Sequence, residues 1–188
     1  MAKTVGIGIT GGIAAYKIAD LVSNLKKDDL DVVVIMTEAA TKFITPLTFS
    51  TLTGREVVTD LWTKPREHKV KHIGIAEQLD ILVIAPATAD FIAKMAMGLA
   101  DDFLSTLVVA NTAPVLVVPS MNTNMYKNSI MQKNIRTLLD CGYHVMDPDS
   151  GILAYGSIGK GRLPSIPDIY QEIIKLLNAN PNVNIDSK

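Results

Sequence analysis

The apolar segment at residues 114–118 is followed by an amide side chain, Asn122. The stretch Pro119-Ser120-Met121-Asn122 comes directly after it, where a buried parallel strand is expected to end. Ligands of open α/β sheets bind at the carboxyl ends of the strands. An Asn at that position can hold a carboxylate without supplying charge, or it can cap the helix that begins near Thr123. On the residues alone, both roles of Asn122 remain open.

A glycine-rich turn near the N-terminus is a candidate phosphate site. Residues 6–11 match the dinucleotide pattern G-x-G-x-x-G, but only five residues precede Gly6. Because a strand usually needs five or six residues, it must include Gly6 and Gly8. The turn then falls at Thr10-Gly11-Gly12, with a helix opening at Ile13. Free N–H groups at such a helix start favour a mononucleotide phosphate, although tight strand–helix packing alone would also require small residues.

Two further strand ends carry hydroxyl side chains. Thr37 follows the second predicted strand, and Thr88 follows the third, where it can cap the next helix or bond the edge of a ligand ring. Together with Asn122 they predict a shallow cleft for a flat polar ligand. We see no His/Cys spacing or acidic cluster typical of a metal site. Residues 159–162 are not a phosphate-binding Walker loop, because the strand–loop–helix context is missing.

His72 is the candidate acid or base among the three histidines. It lies where the polar segment 59–71 gives way to a short predicted helix, and an imidazole beside a cleft titrates near neutral pH. An exposed loop histidine without catalytic function is the alternative. His68 is expected to be solvated and His144 to be structural. The only cysteine, Cys141, ends a helical pattern and is expected to be small and buried.

These residues must be positioned by alternating strands and helices, which predict a single-domain α/β fold. We expect a doubly wound parallel sheet, Rossmann-like or flavodoxin-like, with helices on both faces. Residues 1–178 would form this domain and residues 179–188 a flexible tail. Segments 59–71 and 151–164 are expected to be long loops. The strands are predicted at residues 4–9, 31–36, 81–85, 115–118 and 143–146, and the helices at 13–27, 46–53, 88–97, 102–110, 124–141 and 167–178.

Composition narrows the class of protein. The 188-residue chain is 48% hydrophobic and has a formal net charge of −1, so we expect no nucleic-acid partner. Its apolar runs are shorter than the roughly 20 residues of a membrane span, and the first predicted strand leaves no room for a signal peptide. A single cysteine fits a reducing compartment. These observations predict a cytoplasmic protein with no membrane partner.

Six short motifs are spread along the chain: residues 11–17 (GGIAAYK), 43–49 (FITPLTF), 72–73 (HI), 85–89 (APATA), 98–102 (GLADD) and 119–122 (PSMN). These motifs, in this order, resemble those of the flavin-containing cysteine decarboxylases, and in particular of their phosphopantothenoylcysteine branch. The resemblance covers roughly residues 4–164. Membership would imply FMN as cofactor and a small cysteine-derived carboxylate as substrate. It would also imply a homo-oligomer, a trimer or a dodecamer built from trimers, with the active site at a subunit interface.

The resemblance assigns roles residue by residue. His72 would be the catalytic base, and Asn122 would bind the substrate carboxylate. FMN would oxidise the substrate thiol to a thioaldehyde, whose C=S bond accepts the electrons that CO2 leaves behind. Family members usually have Asn where this chain has Asp90. The remaining implied contacts are to FMN: Gly12, Ile13 and Ala14 at the phosphate, and Thr37, Ala87, Thr88, Ala89 and Ser120 around the flavin.

One position departs from the family pattern. Where the reductive enzymes carry a cysteine that donates a proton in the last step, this chain has Tyr155. Three interpretations follow. Tyr155 donates the proton, although a phenol is a weaker acid than a thiol. Alternatively, the reaction stops at the enethiol, as in the peptidyl-cysteine decarboxylases, or the chain is a flavin-binding paralogue without the reductive step.

Overall fold

The computed structural model describes residues 2–61, 71–152, 156 and 158–179. Tyr155, His68, most of the predicted loop 59–71 and the tail from residue 180 onward lie outside the described residues.

Five parallel strands form the central sheet, in the order β2-β1-β3-β4-β5. Their Val- and Ile-rich segments are buried on both faces, as expected for a parallel sheet covered by helices. The predicted fold class is confirmed, and the order is that of the flavodoxin-like sheets. The strands are β1 (Thr4–Ile9), β2 (Asp31–Met36), β3 (Ile81–Ala87), β4 (Val115–Pro119) and β5 (His144–Val145).

Helices cover both faces of the sheet and enclose two apolar cores. One core contains α1, α3 and α9, with Phe49 completely buried. The other contains α4, α5, α6 and α8, with Phe91 at its centre. The helices are a 3-10 helix (Ile13–Lys17), α1 (Ile18–Lys27), α2 (Glu38–Thr41), α3 (Pro46–Thr53), α4 (Lys71–Ala76), α5 (Ala89–Met97), α6 (Phe103–Ala110), α7 (Thr123–Lys127), α8 (Ser129–Asp140) and α9 (Ile166–Ala179).

The helix predicted over residues 124–141 is two helices in the structure. Asn128 adopts an extended backbone conformation between α7 and α8, and its side chain accepts a hydrogen bond from Ile130 N at 2.9 Å. Asn is a strong N-cap residue, so it starts a new helix here. Cys141 lies at the carboxyl end of α8 and is exposed. The expectation that it is buried was wrong, because it follows the last turn of an amphipathic helix instead of lying on its apolar face.

The segment 151–164 was expected to be a loop, and that expectation was also wrong. Strands β6 (Asp149–Ile152) and β7 (Ile158–Arg162) pair as an antiparallel hairpin, with Gly151 opposite Gly159. Its glycine-rich sequence shows no alternation of apolar and polar residues, which is why the pattern did not predict strands. The hairpin packs against α7, beside the carboxyl end of β4.

The helices in the described ranges are short, amphipathic or interrupted by polar residues. Among them, none combines the length and hydropathy that crossing a lipid bilayer requires.

Candidate active site

The carboxyl ends of β1 and β3 are joined by one buried hydroxyl. Thr10, which is 1% exposed, donates from Oγ1 to the Pro86 carbonyl oxygen at 2.5 Å. Thr10 Oγ1 in turn accepts a hydrogen bond from the Thr88 peptide N–H at 3.0 Å. These strands are neighbours in the sheet, and the strand order reverses between them, which makes this place the switch point of the sheet. Such a reversal opens a crevice at the strand ends, so the cleft lies where a flavodoxin-like sheet binds ligands.

The glycine turn forms one wall of this cleft. Gly12 N donates to Thr10 O at 2.9 Å, and the 3-10 helix begins at the next residue. Because Gly12 offers no side chain to cap the helix, the first N–H groups can face a ligand. Gly11 allows a close approach of α2, since a Cβ there would lie 2.4 Å from the Ala39 Cβ. The starts of the 3-10 helix and of α2 therefore lie at the same edge of the sheet.

Three polar side chains at strand ends cap the helices that follow. Thr37 Oγ1 accepts from Ala40 N at 3.2 Å, and Thr88 Oγ1 accepts from Phe91 N at 3.3 Å. Asn122 Oδ1 accepts from the Asn124 peptide N–H at 2.8 Å, so the capping role of Asn122 is confirmed. Its amide nitrogen donates to no acceptor in the described part of the chain. Capping therefore uses the oxygen of Asn122 and leaves its N–H donors available to a ligand.

Most of the predicted site residues meet in one open cleft of about 1280 Å³. That volume exceeds the range typical of small-ligand pockets, so it can accommodate a cofactor together with a substrate. The predicted residues that line the cleft are Gly12, Ile13, Ala14, Thr37, Thr88, Ala89, Ser120 and Asn122.

Two of the predicted residues that the structure describes are not part of the cleft lining. Ala87 is completely buried at the end of β3, and its carbonyl oxygen accepts from Ser120 N at 3.0 Å. His72 lies on α4, where its ring meets Phe103 edge to face with 6.2 Å between the ring centroids. Within a single chain, His72, the candidate base, therefore does not lie in the cleft beside Asn122.

Charged side chains that sequence reasoning did not select also line the cleft. They include the cations Lys17, Lys42, Lys94 and Arg162. The sequence prediction likewise treated Thr10 only as part of a turn. Its place between a strand and two glycines is a signal that could have identified it as a site residue. These residues are far apart in sequence, and they share one cleft only because the sheet brings the strand ends together.

Lys94 is the cleft cation with the most acidic neighbours. Its Nζ lies 3.0 Å from Asp101 Oδ2 and 3.6 Å from Asp102 Oδ2. Burial acts to lower the pKa of Lys94, but the hydrogen bond to Asp101 and the charges of Asp102 and Asp90 outweigh it and raise that pKa. The pKa of the Asp101 carboxyl is lowered, chiefly by the hydrogen bond from Lys94. This rim of the cleft therefore remains charged at neutral pH.

The described part of the cleft contains no cluster of metal ligands. Nowhere in the described ranges do three or more His, Cys, Asp or Glu side chains come close enough together to hold a metal ion.

The sheet is flavodoxin-like, and a glycine turn followed by a helix start without a capping side chain lies where its strand order reverses. This arrangement is typical of α/β proteins that bind an anionic ligand at the strand ends. The chain belongs to the Flavoprotein family, which matches residues 1–178. The coenzyme A biosynthesis bifunctional protein CoaBC of Haemophilus influenzae is 43% identical over 168 residues, which are 89% of this chain and 42% of that protein. CoaBC of Escherichia coli K12 is 44% identical over 161 residues, 86% of this chain and 40% of that protein. The chain thus spans about two-fifths of the length of these relatives.

Solved structures of cysteine decarboxylases have the same fold. A variant of PPC decarboxylase complexed with pantothenoylaminoethenethiol superimposes with a TM-score of 0.83 and 27% identity, covering 95% of this chain and all of that one. The FMN-dependent cysteine decarboxylase SpaF gives a TM-score of 0.79 and 29% identity, covering 94% of this chain and 97% of that one. The similarity therefore extends over the whole fold and is not confined to the cleft.

Proposed function

We propose that the chain is an FMN-dependent decarboxylase that converts 4'-phosphopantothenoylcysteine to 4'-phosphopantetheine in coenzyme A biosynthesis. The observation that carries the proposal is the gathering of the glycine turn, Thr88 and Asn122 around one cleft at the switch point of the sheet. Relatives named for coenzyme A biosynthesis and a structural neighbour named PPC decarboxylase support it. We further propose a cytoplasmic location, in keeping with the single cysteine.

The cleft residues suit FMN, and residues 1–178 would form its binding domain. Gly12, Ile13 and Ala14 would hold the phosphate through peptide N–H groups, since the helix start has no capping side chain. A Cβ on Gly12 would lie 3.5 Å from the Thr88 Cγ2, so the glycine turn and the end of β3 lie close together. The hydroxyl and small side chains at the other strand ends, Thr37, Thr88, Ala89 and Ser120, would line the flavin, with the backbone of Ala87 behind them.

The residues of the chain would bind and orient the substrate. Bound FMN supplies the redox chemistry that provides an electron sink for loss of CO2. The N–H donors of Asn122 would hold the substrate carboxylate, while its oxygen stays fixed by Asn124 N. A neutral amide suits this role, because a cation would stabilise the carboxylate charge that disappears in the transition state. His72 would move the proton of the substrate thiol.

His72 reaches the site, we propose, from a second copy of the chain. In the single chain its ring packs on Phe103 and does not line the cleft. Large apolar side chains on the cleft walls are exposed, among them Ile13 at 58% and Tyr16 at 56%. Exposed apolar walls beside a binding site mark an interaction surface. A homo-oligomer, a trimer or a dodecamer built from trimers, would cover them and complete the site.

Incubation of the FMN-loaded protein with 4'-phosphopantothenoylcysteine, with CO2 and product mass measured, tests the proposal. We expect CO2 release and the mass of 4'-phosphopantetheine without an added electron acceptor. His72→Asn should abolish CO2 release while FMN absorbance is retained. The exposed His144 offers a matched control, because His144→Asn should behave like the unsubstituted protein. A protein that binds no FMN, or a fully active His72→Asn variant, would contradict these roles.

A second candidate function is oxidative decarboxylation of a peptidyl cysteine. The observation that favours it is Tyr155 in place of the proton-donating cysteine, together with the 29% identity to SpaF. In that case an enethiol should accumulate with the flavin reduced. Tyr155→Cys should then restore the saturated thiol. Saturated product from the unsubstituted chain would exclude this candidate, whereas bound FMN without CO2 release from either substrate would indicate a flavin-binding paralogue.

A further inference from the structure

The hairpin strand β7 lies in backbone contact with the strand end that carries Asn122. Met121 N donates to the Gly161 carbonyl oxygen at 2.8 Å. Glycine is required at both contact points, since a Cβ on Gly159 would lie 2.5 Å from Thr123 Oγ1 and one on Gly161 would lie 2.3 Å from Met121 O. Any movement of β7 would therefore be transmitted to the backbone on either side of Asn122.

Lys160, between these two glycines, is fixed by two groups outside the hairpin. Its Nζ lies 3.0 Å from Asp147 Oδ1 and 5.5 Å from the centre of the Tyr126 ring. Tyr126 OH donates to the same Asp147 oxygen at 3.1 Å, which closes a three-residue cluster. Tyr126 lies on α7, where its peptide N–H donates to Asn122 O at 2.9 Å. The cluster thus connects β7 to the helix that Asn122 caps.

The charges in this cluster reinforce the geometry. The hydrogen bond to Asp147 raises the pKa of Lys160, and the hydrogen bond from Lys160 lowers the pKa of Asp147. Both groups therefore remain charged at neutral pH. The two side chains are 38% and 79% exposed, and exposed ion pairs contribute little to global stability. Loss of the pair should accordingly affect local position more than unfolding.

We propose that Lys160 is a positioning residue, which holds β7 against α7 and thereby orients the Asn122 amide and the neighbouring Arg162 at the cleft. Both Asn122 and Arg162 line the cleft, on either side of the contact between Met121 and Gly161. The effect on substrate rests on the proposed decarboxylase function. The effect on the backbone contact does not.

Three variants test the proposal. Lys160→Met keeps the length of the side chain and removes its charge, whereas Lys160→Arg keeps the charge. Lys175→Met is the matched control, because Lys175 forms a similar ion pair with Glu172 at 2.9 Å on α9, whose residues do not line the cleft. Each variant is compared with the unsubstituted protein by urea unfolding, FMN affinity, steady-state decarboxylation and amide hydrogen exchange.

For Lys160→Met we expect kcat/KM for 4'-phosphopantothenoylcysteine to fall about three- to fivefold, mainly through KM, because a small misplacement of a binding group is costly and the exposed pair limits the loss. FMN affinity should not change, and the urea midpoint should fall only slightly, because the pair is exposed. Raising the salt concentration toward 1 M should increase KM more steeply in the unsubstituted protein than in Lys160→Met, because salt screens the Lys160 pair in addition to the cleft cations that meet the anionic substrate. Lys160→Arg should recover kcat/KM, and Lys175→Met should match the unsubstituted protein.

Hydrogen exchange of the Met121 amide separates this proposal from the proposed function. We expect about three- to fivefold faster exchange in Lys160→Met and unchanged exchange in Lys175→Met, whether or not the protein decarboxylates this substrate. Unchanged exchange at Met121 in Lys160→Met would overturn the positioning role. Absence of CO2 release from the unsubstituted protein would overturn the proposed function alone.

Discussion

Replacement of Thr10 by Val tests whether one buried hydroxyl holds the switch point together. Val has nearly the same shape as Thr, so the packing between β1 and β3 should be retained. The substitution removes the 2.5 Å bond to Pro86 O and the 3.0 Å bond from Thr88 N. A hydrogen-bonding group left buried without a partner costs about 1–3 kcal/mol, and two are left here. Allowing for partial access of water to Thr88, we expect a loss of about 3 kcal/mol in the free energy of unfolding.

Urea unfolding of the FMN-free protein, followed by circular dichroism, measures this loss. In a thermal scan it corresponds to roughly 6–12 °C, because about 2–4 °C is lost per kcal/mol in a domain of this size. Thr51→Val is the control, since Thr51 makes a comparable 2.8 Å bond to Leu47 O on an exposed face of α3. It should change stability by no more than about 0.5 kcal/mol. If Thr10→Val also stays within that limit, the switch point does not depend on this hydroxyl.

Two further predictions concern the rims of the cleft. Gly11→Ala places a Cβ 2.4 Å from that of Ala39 and should destabilise the protein by about 1–3 kcal/mol in urea unfolding. Gly74→Ala meets open space within α4 and should stabilise it by about 0.5–1 kcal/mol, so shifts of the same sign would refute the packing argument. Asp101 has a lowered pKa through the hydrogen bond from Lys94, so its contribution is present above the unfolded pKa of about 3.9 and disappears as the pH falls through the lower folded pKa. Asp101→Asn should therefore weaken the acid dependence of the free energy of unfolding in urea between about pH 5 and pH 2, by less than about 1 kcal/mol because the pair is exposed. Superimposable pH curves for the two proteins would contradict this.

Local sequence patterns were sufficient to predict the fold class and most of the elements. Buried parallel strands require continuous Val- and Ile-rich runs, and these runs appear wherever the structure has a long strand. Caps were also predictable, because a polar residue between an apolar run and a helical pattern has few other roles. Thr88 and Asn122 occupy such positions and do cap their helices. The break at Asn128 escaped prediction, since the apolar periodicity continues on both sides of it.

The hairpin and Cys141 were mispredicted for different local reasons. The stability of β6 and β7 comes from their contact with α7, and that contact leaves no periodic pattern in the glycine-rich residues themselves. The exposure of Cys141 depends on which way the end of α8 faces, which the helical pattern does not specify at its last residue.

The composition of the cleft was decided by the tertiary structure. Thr10 and Thr88 are 78 residues apart and meet only because β1 pairs with β3, a choice made by packing across the whole sheet. The pairing of β3 with β4 places Ala87 opposite Pro119, where it is buried. His72 lies on α4 and does not line the cleft that Asn122 lines. The residues of each strand end were thus evident from their own neighbours in the chain. The sequence alone did not show which strand ends share a cleft, because that depends on contacts between segments far apart in sequence.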